Sequence, residues 1–181
     1  MRAAHLARIG AVAFVLATAA VLLPAQAFPA GHAGSTSSLV SLQSGVLVKL
    51  NQIRRSHGLV PLKLNTALSV AAHQHSAEML ADGYFAHSSA DGSAFWKRIE
   101  RYYPSAHYRS WSVGENLLWD AGALDANGAV ALWMASPEHR ANILDATWRA
   151  IGIAALFEAD APGAFGGNSV TLVATDFGAR S

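Results

Sequence analysis

Two segments near the carboxyl end, Ile151–Phe157 and Val170–Phe177, are apolar at nearly every position. A strand with one wet face alternates apolar and polar residues; a strand covered on both faces does not. These two segments therefore predict strands buried between two layers. The Gly- and Ala-rich stretch 161–168 between them reads as a loose hairpin loop. A third strand is predicted over Trp111–Trp119, and Gly114 inside it suggests a bulge.

Helices fill the rest. Leu39, Leu42, Val46, Leu50 and Ile53 are spaced by three or four residues, one stripe of a helix that Gly58 and Pro61 bring to an end. A second helix starts at an Asn65 or Thr66 cap and stops at Gly83, with Leu68, Ala72, Met79 and Leu80 inward. The turn Asp91-Gly92-Ser93 leads into a short helix with Phe95, Ile99 and Tyr102 on its buried side. Leu124–Ala135 reads as helical with Asp125 as cap, and Ser136-Pro137 restarts a short helix over 137–144, with Ser136 as its cap. Helices come first, strands are interleaved late, and strict β-α-β alternation is absent. The fold class is α+β: a three-layer α-β-α sandwich with a mixed or antiparallel central sheet.

The amino-terminal region has a different character. Arg2 and Arg8 precede a charge-free run from Ile9 to Leu23, too short for a comfortable bilayer span of about 20 residues. Pro24 and the small-x-small sequence Ala25-Gln26-Ala27 follow, as at a cleavage site. Residues 1–27 are thus expected to be a signal peptide, 28–38 a linker and 39–181 the domain. The product would be secreted or periplasmic, with no membrane span after cleavage.

Composition narrows the chemistry. The chain has 181 residues, 52% hydrophobic and only 14% charged, and no cysteine. Thiol nucleophiles, thiolate metal sites and disulfide scaffolds are excluded. Without Arg2 and Arg8, eleven basic residues face 12 acidic ones, so no basic surface for nucleic acid is expected. There is no phosphate-binding glycine loop, no Gly-x-Ser-x-Gly elbow and no His-Glu-x-x-His. Asp176-Phe177-Gly178 spells a kinase metal tripeptide, but it ends a strand with no other kinase part in the chain, and no role is read into it.

Four segments stand out: Phe85-Ala86-His87-Ser88-Ser89-Ala90-Asp91-Gly92; Gly114-Glu115-Asn116-Leu117; Trp133 through Ser136-Pro137-Glu138-His139-Arg140-Ala141-Asn142 to Leu144; and Ile151-Gly152-Ile153-Ala154, closed by Ala174-Thr175-Asp176-Phe177-Gly178. In this order and spacing the chain, over about residues 44–178, resembles the CAP superfamily (cysteine-rich secretory proteins, antigen 5 and pathogenesis-related proteins). It is most similar to the short, cysteine-free bacterial branch. The resemblance implies an α-β-α sandwich with a central cleft lined by two histidines and two glutamates, which in some members holds zinc or another divalent cation. His87, Glu115 and His139 match three of the four positions. The fourth, three residues after Trp133, holds Ser136, and Glu138 stands nearby as a possible fourth ligand.

Elementary chemistry bears on these residues in several ways. Neutral imidazole and carboxylate are good zinc ligands. His139 in the first turn of a Ser136-capped helix would be disfavoured as a cation by the helix dipole. A carboxylate in an apolar strand, as Glu115 would be, needs a partner, and His87 or His139 is the expected one. His73 and His75 lie two apart on one helix and cannot share a metal, while His75 and Glu78 read as a solvated face. Three functions follow. The first is a binding module for a lipid-like, small hydrophobic or peptide ligand, with or without a divalent metal. The second is a hydrolase of peptide or cell-wall bonds in which His and Glu activate Ser88, Ser89 or a metal-bound water. The third is a structural domain whose cleft has no ligand.

Overall fold

The computed structural model of the protein describes residues 36–181. The leader read over 1–27 and most of the segment 28–38 lie outside them. Helix α1 spans Thr36–Ser56 and already includes the last three residues of the expected linker. That part has no glycine or proline, and the Ser41 hydroxyl donates back to the Ser37 carbonyl at 2.8 Å, a bond compatible with helix. Helix α2 (Thr66–Asp82) is capped by the Asn65 side chain, which accepts from the Leu68 N–H, and ends at Gly83 in the left-handed conformation that only glycine adopts freely. Helices α3 (Phe95–Tyr102), α4 (Ala126–Ala135, capped by Asp125) and α5 (Pro137–Ile143) follow the expected order.

Four strands form one mixed sheet in the order β1-β3-β4-β2. The long strands β2 (Trp111–Asp120), β3 (Ala150–Ala161) and β4 (Asn168–Arg180) are antiparallel. The two-residue β1 (Lys63–Leu64) pairs parallel with Ala150 and Ile151; it is too short to have a period that the sequence could display. One face of the sheet packs Leu117, Ala154, Leu172 and Ala174 on Ala72, Met79 and Leu80 of α2. The other packs Ile151, Ile153, Val173 and Phe177 on Leu42, Val46, Leu50 and Trp133. Both faces of β3 and β4 are covered over 151–157 and 170–177, as their nearly continuous apolar character requires.

The bulge expected at Gly114 is absent: Gly114 pairs in register with Phe177. A Cβ there would lie 2.6 Å from Asn142 Oδ1 and 2.9 Å from the Trp148 ring, so glycine is needed for the close approach of α5, not for a backbone irregularity. The irregularity of the sheet lies in β3, between Glu158 and Ala161.

Candidate functional site

The site is built around the outer strand of the sheet, β2. Glu115 lies opposite Asp176 of β4, which in turn lies opposite Gly152 of β3, so all three share the face toward α2 and α3. Asn116, the next residue, faces the other layer. Its amide donates to the His139 carbonyl at 3.1 Å, and Asn142 Nδ2 lies 3.2 Å from the Glu115 carbonyl and 2.9 Å from Asn116 Oδ1. Trp148 Nε1 donates to the Asn142 carbonyl at 2.9 Å. These bonds dock α5 against β2 and set His139 at its edge.

His87 approaches the same strand from the loop after α2. Its Nδ1 is 2.8 Å from Glu115 Oε1, and its ring is 46% exposed while the Glu115 carboxylate is fully buried. The other carboxylate oxygen binds Arg98 Nη2. Arg98, buried on α3, also donates through Nη1 to the His87 carbonyl and the Ser89 hydroxyl, both at 3.2 Å. Burial pushes the Glu115 carboxyl upward, but the His87 hydrogen bond and the Arg98 and His75 charges outweigh it and hold it below its ordinary value. Glu115 is therefore ionised and can only accept, so the proton between the two residues belongs to His87 Nδ1.

Three residues of this network lie beyond the sequence expectations. Arg98 stands on the inward side of α3, three residues after Phe95 and next to Ile99; an arginine on an apolar stripe is the signal of a buried anion. His75 is fully buried, not on a solvated face, and its Nε2 donates to the Ala86 carbonyl at 2.8 Å, fixing the residue before His87. Burial, ahead of the Arg98 charge, lowers its basicity. Asp176, which the sequence leaves without a role, is fully buried beside Glu115, and neither carboxyl oxygen has a hydrogen-bond partner. Burial first, and the Glu115 charge second, raise its carboxyl well above the ordinary range. The folded chain thus holds Asp176 protonated where the unfolded chain, at its ordinary value of 3.8, releases the proton. Retaining that proton costs stability increasingly as pH rises above 3.8 toward the raised folded value. Asp176→Asn removes the cost, so urea melts of the two proteins are expected to show the variant gaining on the parent as pH goes from about 4 to about 8; parallel pH profiles would contradict it.

Burial, and next the charge of His87, make His139 less basic than an ordinary imidazole. The expected cause, a Ser136-capped helix end, does not hold. Ser136 makes no side-chain cap bond, and its hydroxyl donates to Glu138 Oε2 at 3.2 Å. Proton NMR should place the His139 midpoint below 6.5, and His87→Gln should raise it; a midpoint indifferent to residue 87 would contradict the shared neighbourhood.

His87 is thus bonded to Glu115 of β2, while His139, whose carbonyl accepts from Asn116 of the same strand, is electrostatically linked to His87. Glu138 stands outside, exposed on α5. Neither Ser88 nor Ser89 bonds a histidine side chain; Ser89 accepts from Arg98. The divalent cation implied by the resemblance does not fit these residues as arranged. Both Glu115 oxygens are taken, by His87 and Arg98, and among the described residues no group of three His, Asp or Glu side chains is placed to hold a metal ion.

Comparison with known proteins agrees with this architecture. The chain belongs to the CAP family, described as the cysteine-rich secretory protein family, whose profile matches residues 47–168. The uncharacterized protein YkwD of Bacillus subtilis is 34% identical over 131 residues, covering 72% of this chain and 49% of its own length. The uncharacterized membrane protein YlbC of the same organism is 29% identical over 108 residues, 60% of this chain and 30% of YlbC. The chain therefore spans less than half the length of either curated relative. Among solved structures, an outer surface protein of Borrelia burgdorferi superposes with a TM-score of 0.62 at 19% identity, over 75% of this chain and 90% of its own. An extracellular SCP-domain protein of Bacillus anthracis gives 0.53 at 22% identity, over 81% of this chain and 44% of its own. These likenesses carry the fold. Among the described residues no helix is long and apolar enough to cross a membrane.

Proposed function

We propose that this is an exported binding module, and that its cleft at the β2 edge takes a lipid-like or peptide ligand whose polar group hydrogen-bonds the His87 imidazole. The observation that carries this reading is the 2.8 Å contact of His87 Nδ1 with the buried Glu115 carboxylate, itself held by Arg98, from which the ring proton is assigned to Nδ1. In the neutral, half-exposed ring, that leaves Nε2 as an acceptor for a ligand hydroxyl, amide or ammonium donor. Neutral His139 adds a second polar contact without burying a charge. Export rests on the leader-like residues 1–27 and on the extracellular character of the structural relatives.

One observation favours a second reading, a hydrolase. A carboxylate that orients an imidazole by 2.8 Å is also the base half of a nucleophilic triad. The serines nearby supply no partner for it, which favours binding.

The test is to purify the protein from its native host and identify what co-purifies by mass spectrometry. A lipid or peptide present in wild type and lost from His87→Ala/His139→Ala supports the module. Turnover of peptide or peptidoglycan that disappears in Glu115→Gln would replace it with the hydrolase. Micromolar zinc uptake that needs Glu115 would overturn the arrangement of its carboxylate.

A further inference from the structure

The opposite edge of the sheet is unfinished. β1 covers only Ala150 and Ile151, and β3 continues for ten more residues with no further strand on that side among the described residues. Odd-numbered residues of β3 turn their peptide groups to this open side: the Ile151 carbonyl accepts from the Asn65 N–H at 2.8 Å and the Ile153 N–H donates to Ser69 Oγ at 3.2 Å. In the same alternation the peptide groups of Ala155 and Phe157 face outward, with no partner strand among the described residues. Ile153 and Ala155 are only 4% exposed because their side chains enter the core under α1, and the edge runs in the trough between α1 and α2. A cavity of about 280 Å³ opens there between α1 and α2, with Gln43, Ser69, Val70, His73, Ile153 and Ala154 around it. Val70 on its wall is 45% exposed and Leu64 at its head is 61% exposed.

Charge gives the trough a direction. Glu158 and Asp160 are exposed at its far end, and among the described residues neither has an ion-pair partner. At the near end stands exposed Lys63, equally without one.

We infer that this trough is a peptide-docking edge: an extended segment of another protein, basic at its amino-terminal end and apolar at alternate positions after it, adds to β3 as an antiparallel strand. Main-chain bonds go to Ala155 and Phe157, apolar side chains enter the cavity beside Val70, and the basic end meets Glu158 and Asp160. A strand running that way brings its carboxyl end toward Lys63. The recess selects against a second copy of this chain, because its own β3 edge is sunk between its own α1 and α2 and cannot reach in. The inference concerns the edge away from β2 and stands whether or not the cleft binds a ligand.

The probe is a fluorescein-labelled octapeptide, two arginines followed by alternating valine and threonine, titrated into the full chain by fluorescence anisotropy. Saturable binding is expected. N-methylating the peptide's backbone on the strand-pairing side should weaken it more than tenfold, since the side chains are unchanged and only main-chain bonds are lost. Glu158→Lys/Asp160→Lys should weaken it about as much. Ala155→Pro, taken together with circular dichroism that shows the sheet is kept, should abolish it, because the lost N–H points outward. No saturation up to about 1 mM, or equal binding of the N-methylated peptide, overturns the inference. So does a concentration-dependent dimer removed by Ala155→Pro, which would make the occupant a second copy. Binding that appears only when residues 1–35 are deleted would make the occupant the chain's own amino-terminal segment and would equally overturn it.

Discussion

Arg98→Met is expected to cost the fold about 3–5 kcal/mol, a fall in Tm of roughly 10 °C for a domain of this size. The guanidinium is buried and joins three groups: the Glu115 carboxylate, the His87 carbonyl and the Ser89 hydroxyl. Methionine replaces most of its volume and none of its donors. Glu115 would then be a buried anion with His87 alone, beside a second carboxyl. Most of the cost comes from that stranded charge and not from the lost attraction, because a buried pair gains little net free energy over an apolar pair of the same size. Arg98→Met/Glu115→Leu should therefore recover a large part of the loss. Denaturant melts of the two single variants and the double give the coupling directly. Additive losses would show that Arg98 and Glu115 do not depend on one another.

Gly152→Ala is expected to cost at least about 3 kcal/mol, the upper end of what overpacking does. A Cβ at this position would lie 2.0 Å from the Leu68 carbonyl carbon and 2.2 Å from the Ser69 nitrogen. These are backbone atoms of α2, so no rotamer change relieves the contact. The first turns of the helix must lift from the sheet. That lift breaks the Ser69–Ile153 bond and opens the space between Leu68 and Gly178, which itself has room for no Cβ. It also moves His75 on the same helix, so the Ala86 carbonyl and the His87 loop should lose their fixed position. Gly128→Ala is the control. It lies in α4 with nothing closer than 3.4 Å to the added carbon, and alanine there should stabilise by about 0.5–1 kcal/mol. Equal thermal midpoints for Gly152→Ala and wild type would mean that α2 does not rest on β3 as described.

The fold was legible because its signals are local and repeat. The stripe Leu39–Ile53, the cap at Asn65, the stop at Gly83 and the nearly continuous apolar runs of β3 and β4 each state their own structure. Two residues of β1 contain no period, and the start of α1 is hidden by serines that suit a loop as well as a helix. The site was legible only as far as residue type and family likeness go, which single out His87, Glu115 and His139. What holds them was not, because a polar residue in an apolar stripe can be read either as a break or as a buried partner. Arg98 among Phe95, Ile99 and Tyr102, and Asp176 between Thr175 and Phe177, are such cases. Their meaning appears only once α3 and β4 are laid against the same strand. Glu115 shows it most clearly: the carboxylate expected as a ligand is spent on orienting the histidine.

That orientation is the central claim, and the protonation site of His87 tests it most directly. Nitrogen-15 NMR of the imidazole, recorded where the ring is neutral, distinguishes the two tautomers. The account predicts the proton on Nδ1 in the wild-type protein, and a change in tautomer balance on Glu115→Gln with the fold intact. A ring that carries its proton on Nε2, unaltered by Glu115→Gln, would mean that Glu115 does not set what His87 offers to the cleft.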